Sequence, residues 1–202
     1  MHFNPNTIYH IYNQGNNRQQ IFFSHKNYLF FLQKMRDHLL PYGDLLCYCL
    51  MPNHFHWLFY VKKIIVTVQN DRLRLLNEPR IDCMTFTNRT LNDSIGILLR
   101  SYTRAINLQE NRSGSLFRND TKAKDGWKDP RVLPTDPNYG MMLKDWELYG
   151  TTCFRYIHNN PVRAGLVECA EQWDYSSAQD FAGFRKGTLC NKDLAKTLLG
   201  FE

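Results

Sequence analysis

The sequence lacks the features that mark secreted, membrane-spanning and zinc-stabilised proteins. Its 202 residues include six cysteines but no Cys-x-x-Cys pair, so a structural zinc site built from cysteines is not favoured. No run approaches the ~20 apolar residues of a membrane span, and no signal-peptide hydrophobic region opens the chain. Internal repeats and low-complexity tracts are also missing. These absences predict a reduced, cytoplasmic protein that does not enter a membrane.

The composition is that of a folded, basic protein. Hydrophobic residues make up 43% and aromatic residues 14% of the chain, which argues against disorder, and the length suits one domain with a proper core. The 25 Lys and Arg against 19 Asp and Glu give a net charge of +6. This excess favours an anionic partner, nucleic acid first, because bound cations release phosphate counterions. Charge alone equally allows a soluble protein that is simply basic.

The hydrophobic pattern predicts a ferredoxin-like α+β sandwich with an antiparallel sheet. In order, the pattern predicts strand 7–12, a helix capped by Ser24, strand 45–50, the strand carrying His54 and His56, a helix capped by Asp93 or Ser94, and a short last strand 115–118. This strand, helix, strand, strand, helix, strand order is the ferredoxin-like one. Helices packed on one face would leave the other face free for a substrate or partner.

Composition divides the chain near Lys124. Gly126 and three prolines follow as an irregular connector, and a helix is predicted over 146–157, ended by Asn159-Asn160-Pro161. We therefore expect a core domain over 1–124 and a C-terminal helical extension over 125–202 that packs on it. Residues 70–80, with alternating charges, are expected to form a short helix or a mobile loop.

The stretch from Met51 to Tyr60 is apolar and aromatic, and His54 and His56 lie two residues apart inside it. A strand sends alternate side chains to the same face, so both imidazoles should project from one side of the sheet. Two imidazoles held this close form half of a metal site. A pair of exposed strand histidines that binds nothing is the alternative.

Tyr102 is the candidate nucleophile. Its spacing with Leu98, Leu99 and Ile106 fits an ordinary core residue of a helix, whereas arginines on either side, Arg100 and Arg104, favour a functional role. A tyrosine hydroxyl with a pKa near 10 attacks at neutral pH only when cations or a base assist it. Tyrosine, metal and arginine together suit a phosphodiester transesterification.

Five runs of the sequence resemble, in order, the signatures of single-tyrosine transposases of the His-hydrophobe-His class, and the fourth and fifth resemble those of the REP-associated tyrosine transposase branch. The runs are 52–56 (PNHFH), 100–107 (RSYTRAIN), 112–117 (RSGSLF), 156–167 (YIHNNPVRAGLV) and 173–177 (WDYSS). Together they span nearly the whole chain.

The resemblance implies a nuclease core that binds single-stranded DNA, often beside a folded hairpin. It implies that His54 and His56 hold a divalent cation, Mg²⁺ or Mn²⁺, on the scissile phosphate. Tyr102 would attack to give a 5′-phosphotyrosine and a free 3′-hydroxyl, and strand joining would reverse this step without ATP. Related compact transposases are homodimers, whereas the REP-associated branch tends toward monomers.

Several side chains are expected to contact DNA. They are Arg100, Arg104, Arg112, Lys122, Lys124, Asn160 and Arg163. Two alternatives stay open: the run 156–167 could be scaffold, and the lysines could be plain solvated charge.

One departure from the family pattern concerns the third metal ligand. The family places a polar side chain about one turn after the tyrosine, where this chain has Ile106; Asn107 and Gln109 are the nearby substitutes. The departure motivates a second hypothesis, a hairpin-binding protein that no longer cleaves DNA. A third, a histidine-triad nucleotide hydrolase, would require a histidine where Leu58 stands.

Overall fold

The computed structural model describes residues 1–69, 86–125 and 146–201, with side chains from Tyr149 onward in the last range. The strands are β1 (Thr7–Gln14), β2 (Gly43–Met51), β3 (His54–Val61), β4 (Ile65–Gln69), β5 (Phe86–Thr90) and β6 (Lys122–Asp125). The α-helices are α1 (His25–Leu39), α2 (Leu91–Gln109), α3 (Trp146–Arg163), α4 (Ala178–Phe181) and α5 (Lys192–Leu199). The predictions for 70–80 and for the connector after 125 lie outside the described residues.

The main sheet has the ferredoxin-like strand order. Four strands lie in the order β2-β3-β1-β6, and each neighbouring pair is antiparallel. Strand β1 pairs with β3 from Thr7 opposite Val61 to Gln14 opposite His54. The predicted α+β fold is thus confirmed, with β1 and β3 as the central strands. These two strands carry the residues of the site described below.

Three elements before residue 125 differ from the sequence-based expectation. The last sheet strand is β6, not 115–118, where only Phe117 forms a single bridge to Gly15. Leu116 and Phe117 are buried in the hydrophobic core. The prediction was wrong because a short buried apolar run has the same sequence pattern as a short strand. A separate sheet of two antiparallel strands, β4 and β5, was not predicted. Thr90 and Asp93 form the capping box of α2, so this helix begins earlier than expected.

Alternation along β3 separates two hydrophobic layers. Phe55, Trp57 and Phe59 face α1 and α2, and belong to the larger core cluster. His56 and Leu58 face the other way, where Leu58 packs with Cys153 and Ile157 of α3. The sequence predicted that this second face of the sheet would be free. In the structure, α3 and α5 partly cover it. The division of the chain at 124/125 stays a prediction.

Helix α3 does not end at Asn159-Asn160-Pro161 as expected. It continues through Pro161 to Arg163, and the chain then turns with Ala164 N–H donating to Asn160 O at 3.0 Å. Pro161 has no backbone N–H to donate, but the helix continues past it for two more residues before it ends. As a result Asn160 and Arg163 lie on the same helix as Tyr156. No helix in the described ranges has the length and hydropathy that crossing a bilayer requires.

Candidate active site

The outward face of the central strands gathers polar and aromatic side chains. In the antiparallel register, Tyr12 of β1 lies opposite His56 of β3, and Gln14 lies opposite His54. Directly opposite residues share a face of the sheet. His10, two residues before Tyr12, shares this face by alternation. We call the cluster of His10, Tyr12, His54 and His56 the histidine face.

The two predicted metal ligands lie together on this face, as the spacing required. Their ring centroids are 5.1 Å apart, with the rings nearly perpendicular. Burial lowers the pKa of both rings, and for His56 the neighbouring imidazoles of His10 and His54 add to the effect and bring its pKa to about 2. Both rings are therefore neutral at pH 7, the form in which histidine binds metals.

Each of these histidines is held by a hydrogen bond at Nδ1. His54 Nδ1 lies 2.6 Å from Asn53 Oδ1, and Asn53 Nδ2 donates to Arg18 O at 3.2 Å. His56 Nδ1 lies 2.8 Å from His10 Nε2. His10 and His56 are both buried, so this pair of imidazoles is shielded from water. The fixed orientation is what a metal-binding pair needs.

Tyr156 of α3 is the helical tyrosine that lies against the histidine face. Its ring centroid is 5.6 Å from that of His56 and 6.1 Å from that of His10. The side chain keeps 37% of its surface exposed, so a substrate can reach it. The guanidinium of Arg163 lies over its ring, 5.4 Å from the centroid. A phenol between neutral imidazoles and a guanidinium is suited to attack on a phosphate.

The residues present fit a divalent cation with mixed ligands. Within the described residues, no three His, Cys, Asp or Glu side chains converge as a metal-binding group. A third protein ligand would therefore be an oxygen of another kind. Asn160 is buried and lies one turn beyond Tyr156 on the same side of α3, where its amide could supply such an oxygen. Amide oxygen and imidazole together suit Mn²⁺ or Mg²⁺.

The prediction that Tyr102 lies near the histidines is wrong. Tyr102 is fully buried in the core between the sheet and α1, where its ring centroid is 4.8 Å from that of Phe31. Its hydroxyl donates to Ile21 O at 2.7 Å. Burial raises the pKa of this phenol, which opposes its ionisation. The sheet separates Tyr102 from the histidine face, because Phe55 and Trp57 pack on its side and His54 and His56 project to the other.

The three residues considered as a third metal ligand after Tyr102 also lie away from the histidines. Ile106 is buried in the same core. Asn107 donates to Gly114 O at 2.8 Å, and Gln109 accepts from Asn27 at 2.8 Å. All three belong to α2, on the far side of the sheet. The position of Ile106, which the sequence resemblance assigned to a third ligand, therefore lies away from the histidine face.

The seven predicted DNA contacts divide between the two sides of the sheet. Arg100, Arg104 and Arg112 line a groove of about 930 Å³ beside α2, away from the histidines. Lys122 and Lys124 lie opposite Tyr12 and His10 on β6, and therefore share the histidine face. Arg163 joins that face through its contact with Tyr156, and Asn160 lies one helical turn beyond Tyr156 on the same side of α3. Four of the seven side chains thus lie on the histidine side of the sheet, and three lie beside α2.

A solved structure shares this architecture. It is a REP-associated tyrosine transposase bound to a REP hairpin, with a TM-score of 0.52 over 91% of this chain and 83% of that chain. The chain has the fold of that transposase. Sequence identity is 12%, so the likeness establishes the transposase fold, and the roles of residues rest on geometry. No protein-family model and no curated protein matches the chain.

Sequence reasoning missed that His10, Tyr12 and Tyr156 lie beside His54 and His56. The first two had a usable signal, since they alternate on a strand that was itself predicted. For Tyr156, the signal was its spacing of four from Asn160 and seven from Arg163, which places all three on one side of a helix. The helix was predicted to stop before Asn160, and this concealed the spacing.

Proposed function

We propose that this protein is a metal-dependent tyrosine transposase that cuts and rejoins single-stranded DNA beside a hairpin, with Tyr156 as its nucleophile. The observation that carries this proposal is the position of Tyr156, accessible and in contact with His56 on the histidine face. Tyr102, the alternative nucleophile, is sealed in the core.

The chemistry follows from the side chains around Tyr156. Its hydroxyl oxygen attacks the phosphorus of a phosphodiester, loses its proton, and displaces the 3′-oxygen of the preceding nucleotide, which leaves as a hydroxyl. A 5′-phosphotyrosine bond forms as the phosphodiester breaks, so the reverse step can join a new 3′-end. Arg163, over the ring of Tyr156, stabilises the negative charge that develops on the phenol and the phosphate.

His54, His56 and Asn160 are the side chains that would hold Mg²⁺ or Mn²⁺. When bound, such an ion polarises the phosphate and makes its phosphorus more electrophilic. The neutrality of both histidines, and the position of Asn160 one helical turn beyond Tyr156 on the same side of α3, support this donor set. The hypothesis of a protein that has lost cleavage is weakened, because it was based on Ile106, which lies in the core on the other side of the sheet.

DNA is the proposed partner for three reasons. The chain carries a net charge of +6, two exposed lysines of β6 lie beside the histidine face, and the transposase of the same fold was solved with a REP hairpin. Lys122 and Lys124 would contact phosphates next to the reacting one. The groove with Arg100, Arg104 and Arg112 would contact DNA outside the reacting strand.

The proposal is tested with a hairpin oligonucleotide library carrying single-stranded flanks, incubated with the protein and Mn²⁺. We expect a covalent protein–DNA adduct that survives denaturing electrophoresis and depends on the metal. The adduct should be lost in Tyr156→Phe and retained in Tyr102→Phe. Hairpin binding by the wild-type protein with no adduct from any library member would instead support a binding protein without cleavage.

A further inference from the structure

The hydrogen bonds around His54 and His56 carry information about where their protons lie. In both rings the nitrogen engaged by the protein is Nδ1, at 2.6 Å from Asn53 Oδ1 and 2.8 Å from His10 Nε2. Nε2 is therefore the nitrogen left for another partner in each ring. A neutral imidazole has one N–H and one lone pair, and the partner of one nitrogen decides the state of the other.

The state of His54 follows from Asn53. The Nδ2 of Asn53 donates to the backbone carbonyl of Arg18 at 3.2 Å, and a carbonyl can only accept. This bond fixes the orientation of the amide, so the atom facing His54 is Oδ1, an acceptor. His54 must then donate from Nδ1, and its lone pair is on Nε2. The hydrogen bonds from Asn53 to Arg18 O and from His54 to Asn53 thus leave Nε2 of His54 able to bind a metal.

The pair of His10 and His56 admits two arrangements of one shared proton. If His56 donates from Nδ1, its Nε2 carries the lone pair; if His10 donates from Nε2, the Nε2 of His56 carries a proton and cannot bind a metal. The contact of 2.8 Å needs one nitrogen to donate and the other to accept. Only the first arrangement leaves the lone pair of His56 on Nε2, the nitrogen that faces away from His10 and is open to a cation.

We propose that His10 and Asn53 are positioning residues that hold His56 and His54 in the same tautomer, with the proton on Nδ1 and the lone pair on Nε2. Both rings are then ready to bind one cation without moving a proton. The inference rests on the proposed function in one respect, since it takes metal binding as the use of the two rings.

A histidine in the position of His10 has an electrostatic advantage. The usual partner of a metal-binding histidine is a carboxylate, a backbone carbonyl or water. A carboxylate here would place a negative charge beside the site that receives a DNA phosphate, whereas a neutral imidazole orients His56 without repelling the substrate. The ring of His10 also lies 4.9 Å from that of Tyr12 and contacts that of Tyr156, and these two contacts help to fix its orientation.

The direct test is NMR of the metal-free protein labelled with ¹⁵N-histidine, using long-range ¹H–¹⁵N correlations that distinguish protonated from unprotonated ring nitrogens. We expect His54 and His56 both to carry the proton on Nδ1 near neutral pH. A proton on Nε2 of His56 in the wild-type protein overturns the role given to His10. This readout needs neither DNA nor turnover, so it is independent of whether the protein cleaves DNA.

Three variants complete the test, with Mn²⁺ alone as the probe in calorimetry. His10→Phe removes the acceptor and should lower Mn²⁺ affinity about 10- to 100-fold, the typical effect of losing such a partner. His10→Gln retains an acceptor oxygen and should restore most of the affinity. Asn53→Ala should change the tautomer of His54 and leave that of His56 unaltered. Wild-type affinity in a folded His10→Phe contradicts the proposal, as does failure of His10→Gln to keep the tautomer of His56.

The outcomes separate this inference from the proposed function. If the tautomers and affinities are as expected but Tyr156 never forms an adduct, the metal site is prepared as inferred and the transposase proposal fails. If Tyr156 forms the adduct while His56 carries its proton on Nε2, the transposase proposal holds and the inference about His10 fails.

Discussion

Two tyrosine-to-phenylalanine substitutions, each removing one oxygen atom, should have opposite effects on stability and on chemistry. In Tyr102→Phe the lost hydroxyl is a buried donor to Ile21 O at 2.7 Å. The substitution leaves that carbonyl without its partner, at a cost of about 1–3 kcal/mol. For a chain of this length, each kcal/mol lowers the melting temperature by roughly 2–4 °C. The DNA adduct should still form, because Tyr102 lies across the sheet from the histidines.

Tyr156→Phe should behave in the reverse way. The Tyr156 side chain is more than a third exposed, so loss of its hydroxyl should change the free energy of unfolding by no more than about 0.5 kcal/mol. The covalent adduct should disappear. Urea denaturation measures the stability of both variants, and denaturing electrophoresis with a labelled hairpin oligonucleotide measures the adduct. The reasoning is refuted if Tyr156→Phe still forms the adduct, or if folded Tyr102→Phe loses it.

Further predictions concern metal, salt and pH. Asn160→Ala should weaken Mn²⁺ binding in calorimetry without unfolding the protein, and unchanged affinity would remove Asn160 from the ligand set. Lys122→Gln and Lys124→Gln should each reduce the slope of log affinity against log salt by about one, and an unchanged slope means that the lysine contacts no phosphate. Burial and Lys34 hold the pKa of His38 below 6.5 in the folded state, so the unfolded chain binds more protons and stability falls as the pH drops below 6.5. Denaturation across this range should show a shallower loss of stability in His38→Gln than in the wild-type protein, and an identical loss would contradict this assignment.

The fold could be predicted from the sequence because its elements have strong periodic patterns. Apolar spacing of three and four along α1 and α2 and β-branched or aromatic runs in β1 and β3 each point to one structure. The pair His54 and His56 could be placed on one face for the same reason. The strand β6 could not be found, because its sequence, Lys-Ala-Lys-Asp, carries no apolar alternation and depends on pairing with β1.

The site was harder to predict, because it depends on which elements cover which face of the sheet. Tyr102 shares a stripe with Leu98, Leu99 and Ile106, and that stripe packs into the core as its apolar character indicates. The flanking arginines point outward from the same helix and carry no information about the histidines. Tyr156 reaches the site only because the C-terminal helix folds back across the sheet, a long-range contact that local pattern does not contain.

The central claim is that Tyr156 attacks the DNA, and mapping of the covalent adduct tests it most directly. After digestion with nuclease and trypsin, mass spectrometry should find the residual nucleotide on peptide 156–163, which contains a single tyrosine. The nucleotide on peptide 101–104, which carries Tyr102, or on a peptide carrying Tyr12, would contradict the account.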